Sequence, residues 1–329
     1  MNSLELFKTQ KFYQIDISIL KDLGYDVLLS NRIFDSLLFW KYDILFSYFY
    51  RYSFFAALLA KCFGKKTYFT GGIDSLDSDY ASAFNYKIQA LFFKLCYWVA
   101  DSCIIVSQSD LKNIFKVSSL KKKLSYSEHV INTKLFIADV PKEKIFTSIV
   151  WMGDEGNVVR KGVDKALQIF AELKKIPEFV DYRFVIIGRK GEGEVLVRSI
   201  IDKYNLKGSV ELKGEVSEED KINLLKQSKY YFQLSLYEGF GLAALEALCA
   251  NNIIIHSGKG GLANPIYKEQ LLFDIDNDFD SELLKLVNKL ACFTPITSYD
   301  KLLENYDIQR RKDDFEAIIV NGKSNYKLK

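Results

Sequence analysis

Two glutamates, Glu238 and Glu246, lie in the segment Ser235-Leu-Tyr-Glu-Gly-Phe-Gly-Leu-Ala-Ala-Leu-Glu-Ala-Leu-Cys-Ala250. Its pattern predicts a strand ending near Ser235, a loop holding Glu238, and a helix over Gly241–Ala250. Gly239 and Gly241 have no Cβ, so backbone there can come close to a ligand. The first N–H groups of the helix and its positive end suit a diphosphate. Glu246 is the one polar residue between Leu242 and Ala250. A helix apolar all round is a buried helix, and a carboxylate within it needs hydrogen-bond donors. The adjacent hydroxyls of a ribose would supply two. The other reading of Glu246 is a carboxylate that faces solvent or caps nearby backbone. By itself Glu238 reads as an exposed loop acid.

These residues need a scaffold, and the chain alternates short β-like runs with helical spacing, which predicts parallel sheets covered by helices. In the first half Ser3–Phe7 reads as a strand stub, Phe12–Leu23 as a helix, and Tyr25–Leu29 and Asp43–Phe49 as strands. Ser53–Phe63 is a helix, Lys66–Thr70 a strand running into Gly71-Gly72-Ile73-Asp74, Asn85–Ala100 a helix and Ser102–Val106 a strand. Ser109 is read as the cap of the next helix, and Val140–Thr147 as a linker. The second half continues with strands at Ile149–Gly153, Arg183–Gly188, Val210–Lys213, Tyr230–Ser235 and Ile253–His256. Helices are expected at Gly162–Lys175, Val195–Tyr204 and Glu218–Gln227, with an amphipathic tail from about Thr297. Two lobes follow: 1–144, and 145–299, with the tail from about 300–329 packing back on the first.

Composition narrows the function. The 329 residues carry a net charge of +3, which gives no case for nucleic acid as a partner. Five scattered cysteines without a C-x-x-C pair argue against a disulfide framework or zinc site, and two histidines argue against a His-based metal site. Met1–Gln10 has no secretory pattern, and no apolar run is long enough to span a bilayer, so a cytoplasmic protein is expected. Residues 1–146 hold 19 Lys/Arg against 14 Asp/Glu, with many aromatics among them. The plain reading is core aromatics on solvated helices. The alternative is a first lobe in peripheral contact with an anionic membrane at its inner face.

The spacing Glu238-x7-Glu246, in a Y-E-G-F-G-L-x-x-L-E-A context, resembles the E-x7-E signature of family 4 glycosyltransferases. Trp151-Met-Gly153, Arg160-Lys-Gly-Val-Asp164, Phe184-Val-Ile-Ile-Gly188, Glu211-Leu-Lys-Gly-Glu-Val216 and Ser257-Gly-Lys-Gly-Gly-Leu262 resemble the family's other conserved stretches in order and spacing. The resemblance implies a retaining enzyme of the α/β GT-B fold, with two Rossmann-like lobes whose parallel sheets face a central cleft. It further implies that Glu246 holds the ribose and Glu238 touches the donor sugar. Backbone N–H groups of Phe240, Gly241 and Leu242, beside Gly239, would cradle the distal phosphate, and Lys161 would neutralise the departing diphosphate. Gly153 lies in the glycine-containing first strand, while Gly188 and Arg189, with Gly214 and Val216, would flank the base. The donor would be a UDP- or GDP-sugar, with no cofactor and no metal, and the acceptor a glycan or lipid-linked glycan in surface polysaccharide or glycoconjugate synthesis.

The chain also departs from the family pattern. Asp154 stands where an Arg usually follows the first-strand glycine, the loop to Lys161 is longer, and Arg160 is the candidate replacement cation. The first-lobe glycine-rich loop is replaced by Lys8-Thr-Gln-Lys11, and Gly71-Gly72-Ile73-Asp74 occupies the place of a common His, which makes Asp74 the acceptor-side candidate. Two other readings are a catalytically silent GT-B subunit that binds a partner enzyme or glycan, and a sugar-nucleotide epimerase.

Overall fold

The computed structural model describes residues 3–119, 121–137, 140–293 and 304–323. They divide into two compact units, one running to Ile131 and resuming at Glu304, the other beginning at Asn132.

The first unit contains helices α1 (Ser3–Thr9) and α2 (Lys11–Asp22), strand β1 (Ile44–Tyr48), α3 (Ser53–Cys62), β2 (Lys66–Thr70), α4 (Ala83–Val99), β3 (Ser102–Ile105), α5 (Gln108–Val117) and β4 (Leu124–Tyr126). The strands form one parallel sheet in the order β1-β2-β3-β4. Alternation along each strand sends side chains to opposite faces. Phe69, Cys103 and Ile105 meet α3, α4 and α5, while Tyr68 and Ile104 meet α2 and the C-terminal helix.

Two strands expected in the first unit are not strands, and in the second unit the strand expected at Ile149–Gly153 lies at Glu143–Ile149 instead. Ser3–Phe7 belongs to α1, because Phe7 turns inward at helical spacing to meet the rings of Tyr13 (4.8 Å) and Tyr48 (6.1 Å). Tyr25–Leu29 is extended, and Tyr25 and Val27 do pack on the core, but it joins no ladder among the described residues. Helix α5 begins one residue after Ser107, whose hydroxyl accepts from the Asp110 N–H at 3.1 Å, so Ser107 and not Ser109 is the cap.

The second unit holds β5 (Glu143–Ile149), α6 (Glu155–Arg160), α7 (Val163–Leu173), β6 (Arg183–Ile187), α8 (Glu194–Lys203), β7 (Val210–Gly214), α9 (Glu218–Gln227), β8 (Ser228–Gln233), α10 (Leu242–Cys249), β9 (Ile253–His256), β10 (Leu271–Leu272) and α11 (Phe279–Cys292). Its parallel sheet has the order β10-β9-β8-β5-β6-β7. Stacked rings of Tyr230, Phe146 and Phe232 (centroids 4.6 and 5.0 Å apart) fill the centre of one face.

The boundary falls at Ile131/Asn132, not at 144/145, and the expected linker is largely β5. Phe136 is buried beneath the Lys221 ammonium (5.7 Å to the centroid). The Lys142 ammonium donates to Lys226 O at 2.8 Å, near the end of α9. Residues 132–144 therefore already belong to the second unit. The charges read as linker-like, Glu143 and Lys144, occupy the exposed start of a strand.

The described part of the tail includes α12 (Ile308–Phe315) in the first unit; residues 297–303 and 324–329 of the expected tail lie outside the described residues. Arg311, fully buried, donates Nε to Asp16 Oδ1 (2.6 Å) and Nη2 to Oδ2 (2.9 Å), while Nη1 donates to Ser127 O (2.6 Å). The Tyr48 hydroxyl donates to Asp16 Oδ2 at 2.9 Å. Replacing Arg311 by Ala strands Asp16 in the core and is expected to cost about 3–5 kcal/mol, read as a lower urea midpoint.

The chain's two histidines, one in each unit, are both buried. Burial, with the charge of Arg311 adding, holds His129 well below its ordinary range, and burial pulls His256 down to about 4. Unfolded, each takes up its proton near pH 6.5, so below that pH the unfolded chain binds more protons. The stability from this source is complete above that range and falls by about 1.4 kcal/mol per pH unit per histidine on acidification. Urea unfolding followed from neutral pH down to about pH 5 checks it; His129→Gln and His256→Gln should each flatten the loss.

Candidate functional site

Strand β8 and the two residues after it carry polar side chains at alternate positions. Tyr231, Gln233 and Ser235 share one face, and all three act on Glu238. The Ile149 N–H donates to the Tyr231 hydroxyl (3.3 Å), which donates to Gln233 Oε1 (3.1 Å). Burial raises the Tyr231 pKa far above its ordinary range, and the charges of Glu246 and Glu238 raise it further, so the phenol stays a donor. That donation fixes the amide, so Gln233 Nε2 donates to Glu238 Oε1 at 2.8 Å. The Ser235 hydroxyl donates to the same oxygen at 2.7 Å.

The third donor is Lys161, whose ammonium lies 2.5 Å from Glu238 Oε1. Seventy-seven positions separate the two residues, and backbone geometry brings them together. The Leu236 N–H donates to Arg160 O at 2.8 Å. Gly162 adopts φ +68°, and a Cβ there would stand 2.0 Å from Leu234 O. Only glycine lets the turn between α6 and α7 lie against the end of β8. On the other side, the Gly261 N–H donates to Glu238 O at 2.6 Å, and a Cβ on Gly260 would come within 2.2 Å of that oxygen. Glu238 is thus a half-buried acid with Oε1 occupied by three donors and Oε2 without a hydrogen bond among the described residues.

Glu246 is buried in α10, and its partner is a cation that sequence reasoning missed: Lys221 of α9 donates to both carboxylate oxygens at 2.8 Å. Lys221 also lies 3.0 Å from Glu218. In sequence it reads as a solvated lysine three positions after Glu218, so only the packing of α9 on α10 reveals it. Gly241 precedes α10 with φ +87°, and the Tyr267 hydroxyl donates to its carbonyl at 3.3 Å. Gly239, Phe240 and Leu242 surround that helix start.

The other expected donor-site residues line up at the carboxyl ends of neighbouring strands. Met152 N–H donates to Arg189 O (2.9 Å), Glu192 N–H to Gly153 O (3.1 Å), and Gly188 N–H to Gly214 O (2.8 Å). Val216, just beyond β7, packs with Ile145, Val185 and Ile187. Arg160 is not drawn to Glu238: its guanidinium donates to Asn157 Oδ1 at 2.8 Å, within α6. Asp154, where the family pattern has Arg, caps α6 by accepting from the Asn157 N–H at 2.6 Å. The segment between Gly153 and Lys161 forms this helix.

Asp74 belongs to the other unit, exposed at the start of a short turn of helix after β2. Beneath it lies Asp110, fully buried, whose Oδ1 accepts from the Ile73 N–H at 3.3 Å. Burial, with Asp74 and Asp77 adding, pushes the Asp110 carboxyl up to about 7. Sequence reading passed over it as an ordinary first-turn acid of α5.

Two parallel α/β sheets with acidic and glycine-rich loops at strand carboxyl ends define a class, the GT-B fold. The fold is shared with a structure of HepE from Anabaena in complex with UDP (TM-score 0.69, 13% identity, 87% of this chain and 81% of that one). It is also shared with the pneumococcal O-GlcNAc transferase GtfA in complex with UDP and GlcNAc (TM-score 0.64, 15% identity, 90% and 61%). Residues 156–290 match the family of glycosyl transferases group 1. A GDP-mannose:cellobiosyl-diphosphopolyprenol alpha-mannosyltransferase of Xanthomonas oryzae pv. oryzae is 32% identical over 163 residues, 43% of this chain and 40% of that protein. A human phosphatidylinositol N-acetylglucosaminyltransferase polypeptide is 30% identical over 105 residues, 32% and 21%. Over residues 156–290 the second unit is therefore similar to the group 1 glycosyl transferases. The chain's matches span less than half the length of these curated relatives.

Gly162→Ala is expected to destabilise the second unit by about 1–3 kcal/mol through strained dihedrals alone, with the clash against Leu234 adding to that. It should also separate Lys161 from Glu238, so thermal unfolding and any donor turnover fall together.

Proposed function

We propose that this chain is a retaining glycosyltransferase that moves a hexose from a nucleoside diphosphate sugar to a glycan hydroxyl without a metal ion. The observation that carries the reading is the Lys161–Glu238 pair beside the start of α10, with one carboxylate oxygen saturated and the other open. In this reading the diphosphate takes the N-terminal donors of α10, and Lys161 offsets its growing charge as the bond to the anomeric carbon breaks. Glu238 Oε2 faces the sugar, where a fixed negative charge favours an oxocarbenium-like centre. Glu246 takes the ribose hydroxyls. The acceptor oxygen bonds to the anomeric carbon on the face that the phosphate leaves, and its proton passes to the departing phosphate oxygen. No histidine base is then needed.

Lysine and helix terminus together supply the positive charge that a divalent ion would otherwise bring. The reading of the acceptor as a glycan, lipid-linked or free, draws support from the polyprenol-linked acceptor in the name of the Xanthomonas relative, and Asp74 is assigned to the acceptor side. Of the two motives for the silent-subunit reading, Asp154 is accounted for as a helix cap, and the replaced first-lobe loop Lys8-Thr-Gln-Lys11 remains.

Incubation with a panel of UDP- and GDP-sugars, followed by anomeric-proton NMR, tests the proposal. Slow hydrolysis with net retention, unaffected by EDTA, is expected. Lys161→Ala and Glu238→Ala should each lower kcat by about a hundredfold to a thousandfold. Binding without turnover would favour a silent subunit, and reversible change of the sugar an epimerase.

A further inference from the structure

Helix α4 of the first unit carries an uncovered row. Phe84, Leu91 and Trp98 are 72%, 56% and 70% exposed. Their spacing of seven sets them in one stripe along the helix. Lys87 and Lys94, also exposed, fall in the same stripe, one between each apolar pair. The helix contains no Asp or Glu. Its opposite side, with Gln89, Phe93, Cys96 and Tyr97, is buried, so the stripe belongs to a firmly packed element.

The patch extends beyond one helix. Phe55 of α3 is 45% exposed and its ring lies 6.2 Å from that of Phe92. At the far end the Lys123 ammonium donates to Trp98 O at 2.8 Å, which places the basic run Lys121-Lys122-Lys123 beside Trp98. The acid near that end, Asp101, is held by the Lys61 ammonium at 2.8 Å.

We propose that this face, centred on Phe84, Lys87, Leu91, Lys94 and Trp98, docks on an anionic lipid bilayer. Aromatic rings and Leu91 enter the headgroup boundary, while lysine stems lie along it and carry their ammonium groups to lipid phosphates. Charge selects this occupant over a second copy of the chain. A two-fold contact would set each stripe against itself, lysines facing lysines with no acid on either helix. Among the described residues no helix is long and apolar enough to cross a membrane, so the contact lies on the surface.

Sedimentation of the full chain with phosphatidylglycerol/phosphatidylcholine vesicles, against phosphatidylcholine alone, decides the matter. Binding to the anionic vesicles, weakened by salt, is expected, with a blue shift in tryptophan fluorescence that Trp98→Phe removes. Each lysine near such a surface is worth about fivefold in partition, so Lys87→Glu with Lys94→Glu should cost more than about 25-fold. Phe84→Ser with Leu91→Ser and Trp98→Ser should abolish binding and leave thermal unfolding unchanged. Equal sedimentation of wild type and charge-reversed protein overturns the proposal. So does self-association that the same substitutions abolish, without vesicle binding. The assay uses no nucleotide, so its result is independent of the donor-site reading.

Discussion

A carboxylate withdrawn from water must be given hydrogen bonds by the protein, and at Glu238 three donors converge on a single oxygen. They come from two structural devices. Strand alternation brings Gln233 and Ser235 to one face, and the turn between α6 and α7, pressed against Leu234 by Gly162, delivers Lys161. Removing one partner of a fully buried pair typically costs about 3–5 kcal/mol, and less for this partly exposed one. The arrangement therefore couples the start of α7 to the end of β8 energetically as well as sterically. Charge-assisted bonds on Oε1 also hold the side chain in one rotamer, so the direction of Oε2 is set before any ligand arrives.

The same logic explains why the position after the first-strand glycine tolerates an acid. The short helix α6 needs a cap for its first N–H groups, and Asp154 is a preferred residue type for that task. An Arg there could not accept a hydrogen bond. Lys161, at the C-terminal cap of this helix, is thereby held at the end of β8. Asp154 and Lys161 are the two caps of one short helix.

Much of the second unit was legible because its strands are short, apolar and followed by helices of clear period. Ile253–His256 and Glu218–Gln227 needed no tertiary information. Glu246 was legible as a buried acid from its neighbours alone. Lys221 was not, since a residue twenty-five positions away on another helix leaves no local trace, and Ser217 and Glu218 already give it an ordinary surface reading. In the first unit the period-2 signal failed twice for different reasons. In α1 the apolar residues of a short segment satisfy both periods, and contact with Tyr13 and Tyr48 decides for the helix. Over Tyr25–Leu29 the alternation is real in burial, but a strand needs a neighbour to pair with.

The two glutamates are satisfied differently, which bears on how a nucleotide would bind. Glu246 has both oxygens on the Lys221 ammonium, so ribose hydroxyls could reach it only by exchange. Lys221 would keep Glu218 at 3.0 Å and the Phe136 ring at 5.7 Å, so its charge would not be stranded. The net gain at Glu246 is then a difference between two sets of charge-assisted bonds, smaller than either. Glu238 has an open oxygen and gives up no protein hydrogen bond when a sugar approaches. In the proposed complex, affinity must come chiefly from the diphosphate at α10 and Lys161, while Glu246 contributes selectivity for a group with two adjacent donors.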